Sequence, residues 1–65
     1  MSDAEIRKEL DLADRDIMGA IVAAKRARAC LAAGRAHDAV TDVMIARLQL
    51  QDARDRMIAL ESVTA

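Results

Sequence analysis

The sequence predicts an all-α protein, an antiparallel two-helix hairpin that dimerises into a four-helix bundle. Three observations lead there. Apolar residues climb the chain in alternating steps of three and four, first as Ile6, Leu10, Ala13, Ile17, Ala20, Ala24, Ala27 and Leu31 and then as Ala36, Ala39, Val43, Ala46, Leu50, Ala53, Met57 and Leu60. This period keeps one apolar stripe on one side of a helix. Gly34 is the only residue between the two ladders suited to a chain reversal. The chain also has 65 residues, no proline and no aromatic residue, so one small helical unit is all it can build.

The first helix is expected over residues 3–33. Ser2 followed by Glu5 has the spacing of a capping box, in which a serine and a glutamate satisfy the first free backbone amides. Asp3, Glu5 and Glu9 lie near that end, and Lys25, Arg26 and Arg28 toward the other, in the sense that the helix dipole favours. Gly34 closes the helix, because a residue without a β-carbon enters the left-handed conformation of a helix stop without a clash. The second helix is expected over residues 36–61, with Asp38 and Asp42 near its start. Ser62 to Ala65 are expected to fray.

Within the ladder, Leu10, Ile17, Ala24 and Leu31 can be called the a row, continued in the second helix by Ala36, Val43, Leu50 and Met57. Ile6, Ala13, Ala20 and Ala27, with Ala39, Ala46, Ala53 and Leu60, form the d row. A tight turn at Gly34 brings Ala27 level with Ala39, Ala20 with Ala46 and Ala13 with Ala53. Ile17 is then expected near Leu50, and Leu10 near Met57, between the alanine layers. Paired alanines let two helices approach to the short end of the usual range of about 8–10 Å. They also bury little area, and a core of this size supplies only about 3–5 kcal/mol.

Other staples do not make up the difference. One cysteine cannot form an internal disulfide, and one cysteine with one histidine cannot complete a closed four-ligand zinc site. Self-association or a partner is therefore expected, and the expected interface is an apolar belt at mid-hairpin: Met18, Ile21 and Val22 on the first helix with Val40, Met44, Ile45 and Leu48 on the second. Solvated positions of a hairpin would carry charge there.

The formal net charge is −1, which gives no general attraction for nucleic acid. Charge is distributed unevenly along the chain. Residues 25–37 hold Lys25, Arg26, Arg28 and Arg35 and no acid, while residues 1–20 hold six acids and three bases. The basic segment is a candidate contact for nucleic acid or an acidic partner, although the helix dipole already accounts for three of its four charges and no aromatic residue is available to stack on a base. The longest uncharged run is eight residues, Ile17 to Ala24, well short of the roughly 20 needed to cross a bilayer. An acidic start where a signal peptide would be basic predicts a cytoplasmic setting in a bacterial cell or bacterial host. High alanine and arginine usage points to a GC-rich bacterial or bacteriophage genome.

His37 and Cys30 lie near the turn, but no orienting group or oxyanion site accompanies them, so the expectation is a non-enzyme with no catalytic residue, cofactor, metal or small-molecule substrate. Cys30 is expected to pack as a small thiol.

Two resemblances follow from these residues. Ala29 to Ala39, with Gly34, Ala39, Val43 and Ala46 at the turn and packing positions, resembles the turn and second helix of a tetratricopeptide repeat over about one third of the chain. The first helix is too long for that family, the aromatic positions are missing, and no second copy follows. In size and ladder design the chain is similar to the Rop family, small hairpins that dimerise and bind paired RNA loops. That likeness implies an RNA-binding dimer using Lys25, Arg26, Arg28 and Arg35. The leading expectation is a small regulator or inhibitor, bacteriophage-encoded, that sequesters a host regulatory or defence protein. A third expectation is a structural subunit of a larger helical assembly.

Overall fold

A computed structural model of the chain describes residues 1–64. It consists of two helices packed side by side, α1 over Asp3–Ala32 and α2 over Ala36–Thr64. The molecule is a slab of 48 × 16 × 11 Å, one helix thick.

Each end of α1 is built as its residues require. Ser2 is extended and its Oγ accepts from the Glu5 amide at 3.2 Å, while the Ser2 hydroxyl donates to Glu5 Oε1 at 3.1 Å. The serine therefore caps the helix, and the glutamate holds the serine. At the other end Arg35 N donates to Cys30 O at 2.8 Å and Gly34 N to Leu31 O at 3.0 Å. These are the two hydrogen bonds of a Schellman stop, which places its C′ residue in the left-handed region. Gly34 occupies that position with φ +78. A β-carbon built on it would meet nothing within 4 Å, so the demand for glycine comes from the backbone alone.

The second helix begins one residue after Arg35, whose carbonyl accepts from the Ala39 amide at 3.1 Å. It continues past residue 61, where the sequence predicts fraying, through Ser62 and Val63 to Thr64. Ser62 Oγ donates back to Ile58 O at 3.2 Å. Ala65 lies outside the described residues.

The alanine layers form in the expected register. Ala20, Ala23 and Ala46 make one buried cluster, Ala27, Cys30 and Ala39 another, and Ala13 and Ala53 are buried toward the open end. The a row does not join them. Leu10 and Leu50 each remain 50% exposed, Leu31, Val43 and Met57 are also exposed, and Ile17 is half-buried. In their place the seam takes the residues just before the a row: Ala23 and Cys30 are buried, and Glu9, Asp16, Asp42, Gln49 and Arg56 are half-buried.

The seam is thus turned by part of a helical turn from the one that periodicity predicts, and the cause is size. Helices held apart by alanine side chains leave little room beside those layers for leucine, valine or methionine, and the one buried leucine, Leu60, lies beyond the last alanine layer at the open end. Ala23 and Cys30 fit beside the alanines near the turn. Farther out, the long polar side chains lay their stems along the gap and carry their charged ends to its rim.

Candidate functional site

Turning the seam divides the hairpin into two unlike broad faces. In an antiparallel pair, equivalent heptad rows of the two helices flank the seam on the same side. The a rows of α1 and α2 therefore share one face, and the row that contains Asp16, Cys30, Asp42, Gln49 and Arg56 shares the other.

The polar face is bound together across the helices. Arg56 Nη1 donates to Glu9 Oε2 at 2.9 Å, and Arg56 Nε lies 3.5 Å from Asp16 Oδ2. The hydrogen bond to Glu9 and the attraction of both carboxylates raise the Arg56 pKa above its ordinary value, against a smaller opposing effect of desolvation. Nearer the turn, Asp42 accepts from Cys30 Sγ at 3.8 Å and pairs with Arg26 at 3.5 Å, and Arg35 Nη2 donates to Cys30 Sγ at 3.5 Å. Cys30 is a free, buried thiol packed beside Ala27 and Ala39, as expected for a small packing residue.

The a-row face has no such network. Leu10, Ile17, Ala24 and Leu31 run along one side of it and Ala36, Val43, Leu50 and Met57 along the other, with no charged residue among them. This is the surface that periodicity assigned to the interior. The signal that could have revealed it is the contrast in size between the rows: small residues dominate d, whereas large ones dominate a.

All seven belt residues are exposed: Met18, Ile21, Val22, Val40, Met44, Ile45 and Leu48. They do not share one face. Helical arithmetic sets Ile21 and Val40 directly beside the a row, and Met18, Val22, Met44 and Leu48 along the hairpin's two outer edges, with Ile45 on the polar side. Ile58 adds a further exposed apolar side chain to the outer edge of α2.

The four basic candidates are not equivalent. Arg26 pairs with Asp42, and Arg35 Nη1 lies 3.7 Å from Asp38 Oδ2. Lys25 and Arg28 are exposed on α1. His37 sits in the first turn of α2, where its carbonyl accepts from Thr41 Oγ1 at 3.2 Å. An open depression near the start of α1 is lined by Asp3, Ile6, Arg7, Leu10 and Asp11, all from one helix. Among the described residues no helix is long and apolar enough to cross a membrane, and no group of histidine, cysteine and acidic side chains is placed to hold a metal ion.

No family model matches this chain, and comparison with curated proteins and with solved structures gave no match.

Proposed function

We propose that the chain is a non-enzymatic interaction module, a helical hairpin that pairs with a second copy into a four-helix bundle and in that form occupies the surface of a protein partner as a small regulator or inhibitor. A bacteriophage product acting on a host regulatory or defence protein is the setting this reading adopts. The observation that carries it is an inverted distribution of apolar bulk. The buried residues are alanines, one cysteine and Leu60, with no large side chain completely enclosed, while fifteen large apolar side chains among the described residues are exposed. Isolated exposed leucines are ordinary, but contiguous rows on a chain this small mark a surface meant to be covered.

Two measurements test it. Light scattering across a concentration series should give twice the chain mass of 7.1 kDa; a mass that stays at one chain at every concentration would defeat the reading. Pairing by the a-row face leaves the outer-edge residues Met18, Val22, Met44 and Leu48 available to the partner. In affinity capture from the host, Met44→Glu with Leu48→Glu should then keep the dimer mass and lose the protein that the native chain retains.

Lys25 and Arg28, which the structure leaves facing solvent near the turn, favour the Rop-like alternative. That reading requires RNA binding that weakens steeply with salt. Absence of RNA binding at low salt would eliminate it.

A further inference from the structure

We infer that the a-row face is the self-association surface, and that the second copy lies on it head to tail, with the turn end of each hairpin over the open end of the other. The six large contacts are Leu10, Ile17, Leu31, Val43, Leu50 and Met57. This rests on the dimer reading above and adds the face, the direction and the register.

The first argument is area. A compact 7.1 kDa protein exposes about 4,100 Å² by the usual scaling of surface with mass. This chain exposes 5011 Å². The excess of about 900 Å² is close to the roughly 800 Å² that each partner contributes to a standard interface. A slab one helix thick cannot shed that excess by itself, whereas a second slab on its apolar face supplies the missing layer.

The second argument is charge. The turn half of the hairpin, residues 17–49, carries five bases and two acids, while the open half, residues 1–16 and 50–65, carries nine acids and five bases. Stacking two hairpins with turn on turn sets like charges together at both ends. Reversing one copy sets each basic turn half over an acidic open half, which selects direction through complementary fields. A partner of this charge pattern is the chain itself.

The third argument is register. Reversal about a two-fold axis lying across the hairpin pairs α1 with α1 of the second copy and α2 with its α2, both antiparallel. The a row of α1 is centred between Ile17 and Ala24, and that of α2 between Val43 and Leu50. Both centres fall at the level where Ala20 meets Ala46 in a single buried cluster. One axis at that level therefore brings both rows into step. Leu10 then meets Leu31 of the second copy, Ile17 meets its Ala24, Val43 its Leu50 and Met57 its Ala36, so that every pair brings at least one large apolar side chain to the interface.

The experiment uses the full chain. Leu50→Glu and Ile17→Glu should each halve the mass of the dimer while leaving the helical circular dichroism signal, and Met44→Glu on the outer edge should leave the mass unchanged. A wild-type chain that is monomeric overturns the dimer reading and this inference together. A wild-type dimer that survives both a-row substitutions overturns the inference alone. Because an a-row glutamate could unfold the hairpin, a second measurement reads direction with near-native chains. In a Cys30→Ala background, Leu10→Cys and Leu31→Cys chains are mixed and oxidised. Head-to-tail pairing gives a covalent dimer from the mixture and none from either chain alone, and a mixture that fails to cross-link overturns the register.

Discussion

Ala20 of α1 and Ala46 of α2 pack against each other, with Ala23, in one buried cluster at the middle of the hairpin. Their smallness sets the distance between the helices, and that distance in turn decides which other side chains can enter. The exposure of Leu10, Val43 and Leu50 is a consequence of this pair as much as of their own positions.

Ala20→Leu should therefore destabilise the hairpin by about 1–3 kcal/mol, because a larger side chain at this layer forces the helices apart or into strained rotamers. Ala29→Leu, on the outer side of the same helix, should change stability by no more than about 0.5 kcal/mol. Urea melts followed by circular dichroism at one fixed protein concentration make the comparison, since pairing would make the midpoint depend on concentration. Equal midpoints for the two variants would contradict a close alanine seam.

The turn allows a cleaner separation of causes. Gly34 is left-handed with φ +78 and open space around its missing β-carbon, so Gly34→Ala adds no clash and changes only the backbone energy. The expected loss is about 1–2 kcal/mol. Gly34→Asn should lose less, because asparagine enters this region more readily than other side chains. Thermal melts that rank glycine, asparagine and alanine in that order would support the Schellman stop, and an alanine variant as stable as the native chain would contradict it.

Much of the fold was legible in the sequence because its signals are local. Ser2 with Glu5 marks the start of α1, Gly34 its end, and the alternating steps of three and four mark both helices. Even the pairing of Ala20 with Ala46 and Ala27 with Ala39 follows from counting outward from the turn. The orientation of the seam was harder to read. Periodicity says that a stripe exists, but a heptad stripe is several residues wide, and its centre depends on which side chains fit between two backbones at a given separation. Asp16, Gln49 and Arg56 look like surface residues in a sequence, yet they are half-buried beside the seam while Leu10 and Leu50 stay exposed. The surface proposed for pairing was hidden for the same reason: its residues read as interior, and only the packing distance shows that the hairpin leaves them outside.

Gln49 gives this polar lining a direct test, because its amide lies over Gly19. A β-carbon on Gly19 would sit 2.7 Å from Gln49 Nε2 and 3.1 Å from its Cδ, while Gln49 Oε1 is buried with no hydrogen-bond partner. Two effects oppose each other in Gly19→Ala. Alanine in place of glycine inside a helix gains about 1 kcal/mol, but the new methyl group must displace the end of the Gln49 side chain. In a Gln49→Ala background nothing remains to displace, so the same substitution should deliver the whole gain of about 1 kcal/mol. In the native background it should deliver less, by roughly 0.5 kcal/mol or more, the coupling expected of residues in contact. A double-mutant cycle measured by urea denaturation reads this difference. If Gly19→Ala gained the same amount in both backgrounds, Gln49 would not occupy the space over Gly19, and the polar lining of the seam at mid-hairpin would have to be drawn differently.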